Sequence, residues 1–491
     1  FHEVGAIAGD PGLREMLEAM RGTDLKVLFM TPMELPFLPK IQQTLSTLTQ
    51  IEALTLLNEP GTVGLAEVNG HEIVAILREG RPNDLSLLGH ATRNRRTPEG
   101  HLFHIRGAEL DACLAVGLSS DHEPRRQDEV AEKIRKGLFV MLRNGTIARE
   151  VETLVEVIAR EGLPSDRVGL VTDDMLVTHM TPEGYMLHKV RLAIKSGIPV
   201  ADALCMVSHN IAEHYRLGEM IGALRPGAYA DVLVFDSPES LGLEGVYASG
   251  KQVSGIGHVD KAEGPALYAY SPRLTRTILR SPISDADLRY LPEGTLHDAV
   301  TIRAIELEQA TRFTRLAEVR VPVSGGDVDL SLSDENLSYL LCANRQRNEL
   351  VGRGFLRGYG LREGGIAVSQ AHDHHSIIAL GRQRSDVKMA ANRVIDLQGG
   401  IVVVEGGRIV AELPLPVAGL MSDLPIEETE ARINDIERKL REGGVGWYQP
   451  LFFLFWLGME VAPFFRITDR GLFDTANERH IACYYEGSVG A

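Results

Sequence analysis

Short apolar runs alternate with amphipathic stretches through the first part of the chain. The strand-like runs are "DLKVLFMTP", "TVGLAEV", "LSLLGHA", "CLAVGLSSDHE", "LFVMLRNG" and "RVGLVTDD". Between them, "DEVAEKIRKG", "REVETLVEVIAREGL" and "YMLHKVRLAIKSGI" place apolar residues at helical spacing. Strands that are joined through helices pair in parallel, because a parallel connection needs a crossover. About seven such units without a visible break predict an α/β fold, a (β/α) barrel over residues 1–215 whose first strand is absent.

Two further regions follow the predicted barrel, as expected for a chain of 491 residues, which is too long for one ordinary core. Residues 216–265 hold short strands between Gly and Pro turns, which is typical of a small β-sandwich module. Residues 290–491 mix strands such as "GGIVVVEGGRIVAELPL" with a charged helix, "IEETEARINDIERKLREGG". This pattern predicts a separate α+β domain.

Composition limits the partners of the chain. A net charge of −16 argues against nucleic acid, because phosphate binding needs a basic surface. The most apolar stretch, residues 450–465, is too short for a membrane span and contains Glu460, so a buried core element is expected. The four widely spaced cysteines fit a reducing compartment and predict a cytoplasmic protein. A homo-oligomer is expected because most oligomers of soluble proteins are symmetric.

Polar side chains stand at the ends of several predicted strands, and in a barrel these ends meet at one mouth. The predicted strands end at Glu67, His90, His122 and at Asp173 with Asp174. Each has an ordinary explanation when it is taken alone; the two aspartates, for example, suit a helix N-terminus. Imidazole and carboxylate together suit Zn, Mn, Fe or Ni. Their coincidence at four strand ends favours a metal site.

Other polar segments give weaker indications. "FHE" contains His2 and Glu3, which could belong to a loop over the site or to a fraying end. "QAHDHHSIIALG" contains His372, Asp373, His374 and His375. A polar loop before a strand explains this segment more simply than a metal or gating role. Six histidines on predicted helices or loops are expected to be structural: His101, His104, His179, His188, His209 and His214.

Taken together, these segments resemble the amidohydrolase superfamily and, within it, the bacterial adenine deaminases. "VGLAEV", "LLGHA", "GLSSDHE" and "LVTDD" resemble the family segments on its fourth, fifth, sixth and eighth barrel strands, and "FHEVGAIAG" resembles the loop after its second strand. "AHDHHSIIALG" and "ELPLPVAGLMSD" resemble the C-terminal domain of adenine deaminases, which most other amidohydrolases lack. The resemblance extends over nearly the whole chain.

The resemblance implies a metal-dependent hydrolase with a TIM-type (β/α)8 barrel that converts adenine to hypoxanthine and ammonia at a binuclear Mn²⁺ or Fe²⁺ centre. By analogy, Glu67 would bridge the metals, and His90 and His122 would ligate one of them. Asp173 would bind metal and act as the general base, while Glu123 would protonate the purine ring. Three further residues are expected to contact the purine, and the last of them is the alternative acid: Asp174, His2 and Glu3.

The sequence departs from the family pattern in two respects. It has no counterpart of the family's HxH pair on the first strand, and it does not begin with Met; the expectation is therefore that the sequence is a fragment. The family's "HDSHN" reads "HDHHS" here, and the loop after "TDD" also differs, which leaves the purine open, including related and N6-substituted bases.

Two other readings of the chain remain. A cyclic amidohydrolase is disfavoured because Glu67 stands where that group carries a carboxylated lysine. A metal-free binding protein is disfavoured because such a chain has no physical reason to keep four costly polar groups at strand ends.

Overall fold

The computed structural model describes residues 2–21, 23, 25–33, 35–36, 44–255, 268–308, 313–333, 336–460, 462 and 464–485. Phe1 of "FHE" and residues 256–265 of the predicted β module lie outside the described residues. The chain divides into two compact units, for which we use fixed names. The sheet unit comprises residues 17–34 and 49–267, and the C-terminal unit comprises residues 1–16, 35–48 and 268–491.

Helix α1 (His2–Met20) opens the described chain, with its backbone out of helical geometry at Gly9. In the sheet unit, the parallel strands follow one another in chain order: β1 (Phe29–Pro32), β2 (Thr62–Asn69), β3 (Thr97–His101), β4 (Ser120–Asp121), β5 (Phe139–Arg143) and β6 (Val168–Val171). Helices lie between and after them: α2 (Gln50–Leu57), α3 (Gly70–Arg78), α4 (Ser86–Arg93), α5 (Gly107–Ala115), α6 (Gln127–Arg135), α7 (Val151–Glu161), α8 (Val177–Glu183), α9 (Met186–Lys195), α10 (Val200–Cys205) and α11 (His209–His214).

Helical periodicity explains how these helices pack on the sheet. On α7, Leu154, Val155 and Ile158 are buried. Gly162, which follows the last helical residue, adopts the left-handed conformation with φ 60°. Such spacing places one apolar stripe against the strands, and glycine takes a positive φ without a steric penalty. The sequence-ordered parallel sheet with intervening helices confirms the predicted α/β class; closure into a barrel stays a prediction.

One predicted strand is wrong. "LSLLGHA" belongs to α4, where Leu87, Leu88 and Ala91 are the buried residues, so its apolar positions follow a helical repeat. The next strand along the chain is β3, "TPEGH", where no strand was predicted.

The small β module follows the helices. Among its described residues, β7 (Val232–Phe235), β8 (Leu243–Ala248) and β9 (Lys251–Gly255) form one antiparallel three-stranded sheet. A second layer, which a sandwich needs, stays a prediction.

The C-terminal unit is built on a large sheet. Its elements begin with α12 (Pro272–Thr275), β10 (Ala299–Leu307), β11 (Thr314–Ser324), β12 (Asp327–Val328), β13 (Leu337–Ala343), β14 (Val351–Arg357), β15 (Gly365–Val368) and β16 (Ile377–Gly381). They continue with α13 (Arg384–Asp396), β17 (Gly400–Glu405), β18 (Arg408–Pro414), α14 (Ile426–Glu442), α15 (Pro450–Trp456), β19 (Phe465–Thr468), β20 (Gly471–Asp474) and β21 (Arg479–Ile481).

Within the described part of this unit, nine strands pair in the order β12-β11-β10-β14-β13-β16-β15-β17-β18, and β19-β20-β21 form a separate sheet. Helix α13 covers the sheet with Val387, Ala391 and Val394 fully buried. Phe452 and Phe455 of α15 are also buried, which confirms the predicted core element for the helical part of the apolar stretch. Phe464, near its end, is exposed. No helix in the described part of the chain is long and apolar enough to cross a membrane.

Candidate metal centre

Polar residues gather where the parallel strands of the sheet unit end. Glu67 lies near the end of β2, His101 ends β3, His122 and Glu123 follow β4, and Asp173 follows β6. The carboxyl ends of parallel strands share one edge of a sheet, so residues that are distant in sequence meet there.

The first cluster contains Glu67, His101 and His122. One ligand atom from each lies within 4.8 Å of the other two. His122 Nε2 is 3.3 Å from Glu67 Oε1, and the two imidazole rings meet edge-on with centroids 5.2 Å apart. Two imidazoles and one carboxylate are therefore directed toward a common point.

The strand end that was predicted at His90 is wrong. His90 lies on α4 rather than at a strand end, whereas His101 ends β3 and joins the cluster. Both histidines follow a glycine, as "LLGHA" and "PEGHL". The apolar run before His90 is typical of a strand, although it belongs to a helix. The Pro and Glu before His101 are not typical of a strand, although they belong to one.

A second cluster shares His122 and adds Glu123 and Asp173, again with ligand atoms within 4.8 Å of one another. Arg143, the last residue of β5, joins the two carboxylates, because its Nη1 donates to Glu123 Oε1 and to Asp173 Oδ2, both at 2.5 Å. Arg125 also donates to Glu123 Oε2, at 3.2 Å. Sequence reasoning missed Arg143, although it stands at the end of the apolar run "LFVMLR", where a strand-end residue belongs.

These contacts set the charges of the site. Burial opposes a charge on the His122 ring, but the carboxylates of Glu67 and Glu123 outweigh it and raise the pKa of His122 to about 9. Burial also opposes the charge on Glu123, yet the neighbouring His101 and Arg143 lower the pKa of Glu123 to about 2. Glu123 is therefore an anion at neutral pH.

Beneath the clusters, one buried carboxylate connects two of the site's loops. Asp121 Oδ1 accepts hydrogen bonds from the backbone N–H groups of Leu102, at 2.9 Å, and Glu123, at 3.1 Å. Lys133 on α6 donates to Asp121 Oδ2 at 2.5 Å and to the Leu102 carbonyl at 3.0 Å. Both side chains are at most 1% exposed. The pair thus fixes the residue after His101 and the residue after His122 relative to each other.

Two glycines allow β2, β3 and β4 of the parallel sheet to lie close together. A Cβ atom on Gly64 of β2 would lie 2.0 Å from the carbonyl oxygen of Thr97 on β3, and one on Gly100 would lie 2.6 Å from the Ser120 carbonyl oxygen on β4. Any side chain at either position would have to push neighbouring strands apart.

The predicted substrate contacts lie in different units. Asp174 is half-buried beside Asp173, whose Oδ1 accepts from the Asp174 N–H at 2.7 Å. His2 and Glu3 belong to the C-terminal unit. Burial opposes the charge on Glu3, but the imidazoles of His2 and His372 lower the pKa of Glu3 to about 2.

The residues of the strand-end clusters fit a divalent metal. Imidazole nitrogen and carboxylate oxygen are donors for Mn²⁺, Fe²⁺ and Zn²⁺. His122 Nε2 faces Glu67 Oε1 at 3.3 Å, and a ligating imidazole is neutral, so an ion held by the two side chains would take the place of a proton between them. We refer to this site as the strand-end centre.

Sequence comparison matches two family models to separate parts of the chain. The amidohydrolase family matches residues 41–254, and the adenine deaminase C-terminal domain matches residues 311–479. The first match contains all residues of the strand-end centre, and the second contains the His372–His375 segment.

Curated relatives align with nearly the whole chain. Adenine deaminase 1 of Carboxydothermus hydrogenoformans is 31% identical over 96% of this chain and 79% of its own length. The adenine deaminase of Geobacillus kaustophilus is 32% identical over 96% of this chain and 80% of its own length. That of Moorella thermoacetica is 30% identical over 96% and 79%.

Proposed function

Because the chain belongs to the adenine deaminase family of amidohydrolases, we propose that it catalyses the hydrolytic deamination of adenine to hypoxanthine and ammonia. The observation that carries the proposal is the match of about 30% identity across both units, combined with imidazoles and carboxylates gathered at the strand ends. The reaction replaces the amine on C6 of the purine with oxygen from water.

The metal proposal follows from the two clusters that share His122. Glu67, His101 and His122 would hold one divalent ion, and Asp173 is the further ligand expected for a binuclear centre; we propose Mn²⁺ or Fe²⁺. Such an ion supplies a nucleophile at neutral pH because it lowers the pKa of water. His90, on α4, has no part in this assignment.

Asp173 and Glu123 are proposed to move the protons. Asp173 would accept the proton of the attacking water at a carboxylate oxygen and pass it to the leaving amine on C6. Glu123 is held as a carboxylate by Arg143 and Arg125, so it must accept a proton before it can donate one to the purine ring nitrogen. The second proton of the attacking water, released as the C6 oxygen becomes a carbonyl, replaces the proton that Glu123 donates. Arg143 contacts both carboxylates and would keep them oriented while their protonation changes.

The substrate is a small purine, and we propose that Asp174, His2 and Glu3 contact it. A cytoplasmic location is supported by the absence of any disulfide among the four cysteines, all of which the structure describes. The homo-oligomer stays a prediction.

The decisive experiment compares two histidine variants. Full-length chain loaded with Mn²⁺ is assayed for ammonia release from adenine, and bound metal is counted for the wild type, His101→Ala and His90→Ala. We expect His101→Ala to lose at least about 100-fold in kcat/KM together with metal, because it removes a ligand. His90→Ala should retain both. The reverse result would contradict the assignment of His101.

A second variant tests the role of Glu123. Glu123→Gln should lower kcat strongly while the metal content stays unchanged, because the amide cannot carry a proton. Retained turnover would remove Glu123 from the proton path. Bound metal without adenine turnover in the wild type would instead indicate another purine or a cyclic amide as substrate.

A further inference from the structure

Asp173, the proposed base, stands in an uncommon backbone conformation. Its φ of 59° lies in the left-handed region, which residues other than glycine rarely adopt. Asp and Asn tolerate this region better than most residues, but a side chain stays in it only where the surrounding structure holds it. We therefore searched for groups that hold residues 172–176, which we call the Asp173 loop.

The backbone of residues 144–146, which follow β5 and which we call the β5 loop, binds the Asp173 loop at two points. The Asn144 N–H donates to the carbonyl of Val171 at 3.0 Å, and the Thr146 N–H donates to the carbonyl of Asp174 at 2.8 Å. One hydrogen bond thus lies before the left-handed residue and the other lies directly after it. The chain on both sides of this residue is fixed to the β5 loop.

The side chain of Thr146 adds a third hydrogen bond. Its hydroxyl oxygen accepts from the Leu176 N–H at 2.7 Å, and Thr146 is 1% exposed. The same oxygen lies 3.5 Å from Nδ1 of His179 on α8. Loss of the hydroxyl would take from the Leu176 N–H the acceptor that it has in the fold. Thr146 therefore ties down the end of the Asp173 loop that leads into α8.

Gly145 places the two loops in direct contact. A Cβ atom at this position would lie 2.3 Å from the carbonyl oxygen of Asp174 and 2.6 Å from that of Thr172. These oxygens belong to the residues on either side of Asp173, and both distances are too short for any side chain. The Asp173 loop lies as close to the β5 loop as a glycine allows.

We propose that Thr146 and Gly145 position Asp173 for metal binding and proton transfer, an inference that rests on the proposed function of the strand-end centre. Arg143, the last residue of β5, donates to Asp173 Oδ2, so one continuous segment holds both the carboxylate and the backbone that carries it. Functional groups must be held to within about 0.5 Å of their working geometry by the residues around them. Thr146 is a positioning residue, because it acts on Asp173 through the backbone.

The test compares threonine variants of the full-length chain. Thr146→Val keeps the shape of the side chain and removes the hydroxyl, whereas Thr146→Ser keeps the hydroxyl. The matched control is Thr62→Val: Thr62 is 1% exposed, donates to the Leu56 carbonyl at 2.9 Å and begins β2, away from the strand ends. Each chain is titrated with Mn²⁺, with the free ion counted by electron paramagnetic resonance, and is then assayed for ammonia release from adenine. Asp173→Asn identifies the part of the titration that depends on this carboxylate.

We expect Thr146→Val to raise the Mn²⁺ concentration for half-occupancy of the Asp173-dependent site about 10-fold or more, because groups that support a ligand tune its affinity for metal. At saturating Mn²⁺, kcat should fall about 10- to 100-fold while KM for adenine changes less than about 3-fold, since a displaced base slows the chemical step. Thr146→Ser and Thr62→Val should behave like the wild type in both measurements.

The Mn²⁺ titration separates this inference from the proposed function, because it needs no substrate. A wild type without adenine turnover, together with weaker Mn²⁺ binding in Thr146→Val, would contradict the deaminase and still support the positioning role. Unchanged Mn²⁺ affinity in Thr146→Val would overturn the inference. So would an equal loss of affinity in Thr62→Val or in Thr146→Ser, because neither removes the proposed contact.

Hydrogen exchange on the wild type decides the matter if Thr146→Val does not fold. The amides of Thr146 and Leu176 should exchange as slowly as those of β5, because both are bound across the two loops. Exchange at the rate of an open loop would overturn the inference.

Discussion

At the scale of single residues, the Asp121–Lys133 pair has consequences for stability. Removal of the Lys133 ammonium leaves the Asp121 carboxylate buried without its counter-charge. We expect Lys133→Met to lower the free energy of unfolding by about 3–5 kcal/mol, as measured by urea denaturation of the metal-free protein.

The matched control for this prediction lies one turn away. Lys136 forms an ion pair with Asp111, but the two side chains are 26% and 61% exposed. Solvent screens such a pair, so Lys136→Met should change the free energy of unfolding by less than about 1 kcal/mol. Equal changes in the free energy of unfolding for the two substitutions would contradict a larger stabilising role for the buried pair.

A third substitution concerns Arg143. Its planar guanidinium reaches both Glu123 and Asp173, whereas a lysine ammonium is a single point of charge. We expect Arg143→Lys to reduce kcat about 10- to 100-fold with little change in the amount of bound metal. Steady-state kinetics on the Mn²⁺-loaded protein and metal counting measure the two quantities. A variant that loses metal in proportion to activity would make Arg143 a structural residue.

Residue-level prediction from the sequence succeeded where strands were continuous and apolar. Glu67, His122 and Asp173 lie at strand ends because "TVGLAEV", "GLSS" and "RVGLV" precede them. Arg143 was not predicted because a guanidinium cation is not a metal ligand. His2 Nε2 lies 3.9 Å from Asp373 Oδ1 although the two residues are about 370 positions apart in the chain, and local patterns carry no information on such a contact.

At the scale of secondary-structure elements, α4 and β3 show why short segments mislead. A run of a few apolar residues fits a buried strand and a helix equally well, and only its length, its flanking Gly or Pro residues and its content of β-branched residues separate the two. β3 contains Pro98 and Glu99, two residue types that are depleted in strands. Glu99 is tolerated there because it is buried against His214, with 2.7 Å between Oε1 and Nε2. Tertiary contacts, which the sequence does not display, decide both cases.

Helix α9 permits a prediction on pH. Lys189 is fully buried on this helix, and burial lowers the pKa of its ammonium from 10.5 to about 8. Between about pH 8 and 10.5 the unfolded chain therefore binds more protons at this position, and stability gains from Lys189 as pH rises through that window. Lys189→Met should stabilise the protein more at pH 7 than at pH 10.

Urea denaturation at the two pH values measures this difference. Comparison of the variant with the wild type at each pH cancels the titration of tyrosines and cysteines. A stability difference that is equal at both pH values, or larger at pH 10, would contradict a lowered pKa for Lys189.

At the scale of the whole molecule, the described chain has a separate hydrophobic core in each unit. The sequence predicted three consecutive domains, and that division stays a prediction. The contacts place residues 1–16 and 35–48 with the C-terminal unit. A reading along the chain assigns each segment to its neighbours in sequence, so it does not anticipate segments that pack elsewhere.

Separate cores predict a response to metal that is confined to part of the molecule. An ion that binds the folded sheet unit stabilises it in proportion to its affinity. In calorimetry we expect Mn²⁺ to raise the temperature of one unfolding transition by several degrees and chelation to reverse the shift. His101→Ala should abolish it, whereas His90→Ala should keep it. A shift that persists in His101→Ala would move the Mn²⁺ site away from the strand ends.

The closeness of β2, β3 and β4 limits how this molecule can vary. Gly64 and Gly100 lie directly against carbonyl oxygens of the neighbouring strands. The spacing between the ligand-bearing strands therefore requires that these two positions carry no side chain. A methyl group added at Gly64 would widen the gap between Glu67 and His101 without altering any ligand. One added at Gly100 would do the same between His101 and His122. The number of positions at which the chain can lose its metal is therefore larger than the number of residues that would touch it.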